Sequence, residues 1–76
     1  MDRQKVQRII GRACQEWRRK QGYTQLDVAL QLEMSPENVS AFERGLNDSS
    51  FILTWYLLNG FDPLESEDVW LKLKTC

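Results

Sequence analysis

Apolar residues recur along the chain at helical spacing. Val6, Ile9, Ile10, Ala13 and Trp17 fall at steps of three and four and form one stripe, with the basic residues of the same stretch mostly off it. This predicts an amphipathic helix closed by Gly22. Thr24, with Asp27 three residues on, has the form of a capping box and predicts a second helix over roughly 25–32. Ser35 followed by Pro36 predicts the cap and first position of a third helix, which Gly45 ends. Asn47, Asp48 and Ser49 form a turn and cap ahead of a fourth helix, 50–58, closed by Asn59 and Gly60. Asp62-Pro63-Leu64-Glu65 repeats the pattern of cap, proline and acid, and leads into a fifth helix through Val69, Trp70, Leu71 and Leu73. No segment alternates with period two over a useful length. The expected fold class is all-α, with five helices.

Length and composition narrow the function classes. Seventy-six residues leave room for one core, so a single domain over 1–76 is expected. No apolar run approaches the roughly 20 residues that span a bilayer, and the polar, basic start has no signal-like stretch. The chain has no His, which removes the commonest general base and the commonest metal ligand. It has no Gly-rich phosphate loop, and a helical domain this small is expected to hold no large pocket. An enzyme is therefore not expected, nor a cofactor, a metal or a small-molecule substrate. Glu65, Glu67 and Asp68 read as a first helical turn favoured by the dipole. Two cysteines are too few for a disulfide scaffold, so a cytoplasmic location is expected. Cys14 reads as a small buried hydrophobe, and Cys76 as an exposed terminal thiol.

The formal charge of −1 conceals a division. Residues 1–25 carry seven Lys or Arg against two acids, a net +5, and residues 26–76 carry three against nine, a net −6. Such segregation points to an electrostatic partner for one end, or to two halves that screen each other in the fold.

Two short helices joined by a tight turn, the second capped by Ser-Pro, make a helix-turn-helix pattern. Residues 25–44 resemble the helix-turn-helix of the phage-repressor family of the Cro/C1, or XRE-like, type. Val28, Ala29, Leu32, Met34, Val39 and Phe42 stand at its core positions, with a small residue at Ala29 where the helices cross. Phe42-Glu43-Arg44-Gly45 looks like its closing segment, and the resemblance extends over about residues 5–65. It implies a five-helix, lambda-repressor-like domain whose third helix lies in the major groove of DNA. A small stand-alone chain of this type also resembles the products of phages and other mobile elements. The family usually has Gly in the turn, where Glu33 stands here. A residue other than Gly at positive φ costs roughly 1 kcal/mol.

Carried onto this chain, the reading positions are Ser35, Pro36, Glu37, Asn38, Ser40 and Ala41. Asn38 is the one residue there of a type suited to adenine, Ala41 offers only contact with a thymine methyl, and Glu37 can accept from cytosine. Gln25 matches the phosphate-contacting position at the start of the second helix, or is a first-turn polar residue of no consequence. Arg18, Arg19, Lys20 and Arg44 are candidate phosphate contacts. The Arg18-Arg19-Lys20 run reads equally as a solvated helix end favoured by the C-terminal dipole.

The fourth helix is apolar nearly all round, with Phe51, Ile52, Leu53, Trp55, Tyr56, Leu57 and Leu58. A domain of this size has little interior, so the segment 50–74 is expected to form a homodimer, with Phe51, Trp55, Tyr56 and Trp70 at the seam. The other reading places all of them in the monomer core. Two functions follow. One is a small dimeric transcriptional regulator that binds operator DNA. The alternative is a co-regulator, corepressor or antirepressor, that binds another transcriptional regulator without reading DNA.

Overall fold

The computed structural model describes residues 2–75, and Cys76 lies outside them. Five α-helices follow one another: α1 (Arg3–Gln21), α2 (Gln25–Leu32), α3 (Pro36–Glu43), α4 (Ser50–Leu58) and α5 (Glu67–Lys74). Among the described residues there is no strand. No helix among them is long and apolar enough to cross a membrane.

Local chemistry sets the helix ends. The Asp2 carboxylate accepts from the backbone N–H groups of Gln4 and Lys5 and caps α1. Gly22, at φ 85°, takes the left-handed turn that stops it, and Tyr23 N–H donates back to Arg18 C=O. The capping box at α2 is complete. Asp27 N–H donates to Thr24 Oγ1 at 3.0 Å, and Thr24 N–H donates to Asp27 Oδ2 at 2.8 Å. Glu33 sits at φ 54°, ψ 46°, the left-handed conformation the turn requires, without a glycine to relieve it. Ser49 Oγ accepts from Ile52 N–H and caps α4.

Two ends differ from expectation. Ser35 is the N-cap of α3, but its side chain makes no capping hydrogen bond, so the rigid φ of Pro36 does the work of starting that helix. Asp62-Pro63-Leu64-Glu65 does not open the last helix. Asp62 caps a short 3-10 turn, Pro63–Glu65, and α5 starts afresh on Ser66, whose Oγ accepts from Val69 N–H. The chain spends one extra turn there to bury Pro63 before α5 doubles back on α1.

The core gathers Cys14, Val28, Ala29, Val39, Phe42, Ile52, Trp55 and Tyr56, all buried. Ile10, Trp17, Tyr23, Leu32, Met34, Leu53 and Phe61 pack around them, half-buried. Aromatic rings occupy much of this interior. Trp17 stacks on Phe61 at 5.4 Å between centroids, and Tyr23 meets Trp55 edge-on at 5.3 Å. α2 packs on α3 and α4, while α1 packs on α3 along one side and on α5 along another. Because α1 is gripped on two sides, its deepest line is Gly11, Cys14 and Arg18 rather than the apolar stripe, whose members are only half-buried. Val69 and Leu73 are the buried residues of α5.

Candidate nucleic-acid interface

The starts of α2 and α3 open on one shallow groove, bordered by Thr24, Gln25 and Leu26 of the first, Pro36 of the second, and Arg19 and Tyr23 from the end of α1. The first backbone N–H groups of a helix carry partial positive charge, so such a surface favours an anion. Ser35, Glu37 and Asn38 are exposed at the start of α3, and Ser40 and Ala41 are half-buried further along it. Arg44 is exposed at its end, its Nε donating to Ser40 C=O at 3.4 Å. The backbone carbonyl of Asn38 accepts from the Asn47 side-chain amide at 3.4 Å. Glu33 and Glu37 put two exposed carboxylates on either side of the start of α3. Arg19 and Lys20 are exposed where α1 ends.

Arg18 is not available as a phosphate contact. It is 4% exposed and forms a two-pronged pair with Glu43, itself 4% exposed. Arg18 Nε donates to Glu43 Oε2 at 2.7 Å and Nη2 to Oε1 at 3.0 Å, while Nη1 donates to the Tyr23 carbonyl at 2.7 Å. The Arg18-Arg19-Lys20 run is thus neither a solvated helix end nor a phosphate clamp throughout, because its first member faces inward. Gln25 is drawn into the same cluster: its amide Nε2 donates to Glu43 Oε1 at 2.9 Å. Tyr56 Oη completes it, donating to Glu43 Oε2 at 3.3 Å. One carboxylate therefore ties α1, α2, α3 and α4 together.

The electrostatics follow from this geometry. The Glu43 hydrogen bond pushes the Arg18 pKa further up, against the burial that opposes its charge. For Glu43, burial pushes the carboxyl up, but the hydrogen bonds from Arg18, Gln25 and Tyr56 and the charge of Arg18 together hold it below its ordinary range. Burial raises Tyr56, with the Glu43 charge adding to it. Burial also pushes the Cys14 thiol up to about 12, again with help from Glu43. Cys14 is therefore an inert core residue.

The aromatic seam is corrected in the same way. Trp55 and Tyr56 lie inside the monomer. Trp55 Nε1 donates to Gln31 Oε1 at 2.8 Å, and Tyr56 is committed to Glu43. Phe51 and Trp70 do face outward, at 72% and 48% exposure, and Leu58 is 81% exposed. The Glu43 cluster is hidden in the sequence because its partners stand 13 to 25 residues from Glu43. The one sequence signal for it is Arg18 falling in line with Gly11 and Cys14. No protein-family model, curated protein or solved structure matches this chain.

Proposed function

We propose that the chain is a small transcriptional regulator with a helix-turn-helix of the phage-repressor type, arranged as in lambda-repressor-like domains, and that it binds operator DNA as a dimer. The observation that carries this is the shared groove at the starts of α2 and α3, two helices joined by a turn of three residues with Glu33 in the left-handed conformation. The Glu43 cluster holds the end of α3 against α1 and α2, so the outer face of α3 is presented as a rigid unit. Asn38 supplies adenine recognition, Ala41 thymine-methyl contact and Glu37 a cytosine acceptor, with Ser35 and Ser40 adaptable. Gln25 braces Glu43 and contributes its helix start rather than its amide. Phe51, Leu57 and Leu58 of α4, with Trp70 and Leu71 of α5, are exposed apolar residues open to a second copy.

A second function, a co-regulator that binds another transcriptional regulator, is favoured by one observation. α3 and the turn before it carry two exposed carboxylates, Glu33 and Glu37, against a single cation, Arg44. The test is fluorescence anisotropy with duplex fragments at about 50 and about 200 mM salt, since each phosphate contact makes affinity salt-dependent. Binding that weakens steeply over this range, with a dimer by sedimentation equilibrium, is the expected result. No duplex binding at the lower salt overturns it in favour of the co-regulator.

A further inference from the structure

We propose that the outward face of α1, joined to Arg44 at the end of α3, is the surface that grips the phosphate backbone of a duplex nucleic acid. This rests on the DNA-binding function above and names where its affinity comes from. Lys5, Arg8 and Arg12 are spaced by three and four residues, which puts them on one face of α1. Arg8 and Arg12 form the common wall of two adjoining grooves. One is completed by Lys5, Ile9 and Lys72, and the other by Gln15, Glu43 and Arg44. The result is a continuous strip of cations across α1 and the end of α3, bordered on α5 by the Lys72–Asp68 pair.

Three acids near this strip already have partners, one of them Lys72 at its α5 border, and Glu16, four residues on from Arg12, is left beside it. Glu43 is bound to Arg18, Asp48 to Arg3, and Asp68 to Lys72 at 3.0 Å. Glu16 is the one acid within α1. Lys5, Arg8 and Arg12 are exposed and, among the described residues, hold no ion pair. Like charges at helical spacing repel, so a strip of them is satisfied by a polyanion rather than by the fold. Three features favour a nucleic-acid backbone over an acidic peptide. The grooves are open and border long, flexible cations, which suits phosphate contacts that position a duplex without reading it. The strip contains no enclosed pocket for a peptide anchor. Arg44 joins it directly to α3, so it begins where the base-facing residues stop.

The Arg8→Gln, Arg12→Gln, Arg44→Gln triple variant tests it, because glutamine keeps the stem of Arg8 that lies against Gly45. A short labelled duplex of random sequence is titrated over a salt series. Each lost phosphate contact reduces the slope of log K against log salt by about 0.9, so the triple variant is expected to lose about 2.7. The Arg3→Gln variant, at a cation already paired with Asp48 and bordering neither groove, is expected to keep the native slope. Should the triple variant melt early, the Arg12→Gln and Arg44→Gln single variants replace it, each expected to remove about 0.9 of slope. A native protein that binds duplex with a slope unchanged in these variants overturns this assignment and leaves the DNA-binding function standing. A native protein that binds no duplex overturns both. Poly-L-glutamate captured through Arg8 and Arg12, with no capture of duplex, assigns the strip to an acidic protein and also overturns the proposal.

Discussion

Replacing Glu43 with alanine removes the acceptor from four donor groups at once: Nε and Nη2 of Arg18, Nε2 of Gln25 and Oη of Tyr56. Gln25 is half-buried and can turn to water, but Arg18 and Tyr56 cannot. Breaking a buried pair by deleting one partner costs about 3–5 kcal/mol, because the other charge stays behind uncompensated. At about 0.05–0.15 kcal/mol per residue, a domain of this length has about 4–11 kcal/mol in total. Glu43→Ala is therefore expected to consume about a quarter of the stability or more. With a urea m-value of about 1 kcal/mol per molar, typical of a small domain, the midpoint followed by far-UV circular dichroism falls by about 3 M or the fold is lost. The paired variant Arg18→Met, Glu43→Leu leaves no charge inside and is expected to recover most of that loss. The Tyr56 hydroxyl left without an acceptor keeps it about 1–3 kcal/mol short of full recovery. A loss below about 1 kcal/mol in Glu43→Ala would refute the reasoning, since it would mean that the pair is solvated. So would a paired variant no more stable than the single one.

Acid is expected to act through the same carboxylate. Its pKa is held below the unfolded value of about 4.3, so its stabilisation is complete above that pH and is lost as pH falls towards the folded pKa. Asp27, held down by the Thr24 backbone N–H, adds in the same direction. The urea midpoint should be level from pH 7 to about 5 and fall below that, and Glu43→Gln should flatten the fall. Gly11→Ala ought to destabilise, against the usual helical preference. The new Cβ would lie 2.8 Å from the Glu43 carbonyl oxygen and closer still to that of Phe42, both backbone atoms. A loss of about 1–3 kcal/mol in thermal melts is expected, and a gain would show that α1 slides freely on α3. Glu33→Gly should stabilise by up to about 1 kcal/mol by releasing the left-handed strain, and a lower melting temperature would contradict that origin.

The features visible in the sequence are those decided within four or five residues. The capping box of Thr24 and Asp27, the stop at Gly22 and the strained turn at Glu33 each depend on neighbours along the chain. What escaped depends on contacts across it. Arg18 looks like its neighbours Arg19 and Lys20, and only the docking of α3 turns it inward onto Glu43. Trp55 looks like Phe51, and only the approach of α2, with Gln31 waiting for the indole N–H, decides which of them is covered. The extra turn at Pro63 escaped for a different reason. Cap, proline and acid start a 3-10 turn as readily as an α-helix, and the choice rests on where α5 must land on α1. The candidate surface was legible in outline, since Ser35, Glu37, Asn38, Arg19, Lys20 and Arg44 are exposed, while Arg18 alone of its cations is turned inward.

The three tryptophans occupy three different surroundings, and this gives the molecule built-in optical probes. Trp17 is half-buried and stacked on Phe61, and Trp55 is sealed in the core with its N–H on Gln31. Trp70 is half-open to solvent, its N–H on the Leu64 carbonyl. Emission from Trp55 reports the seating of α2 against α4, whereas emission from Trp70 reports what approaches α5. In a Trp17→Phe background, a quenching or shift confined to Trp70 marks an encounter between molecules. A red shift of Trp55 marks the opening of one.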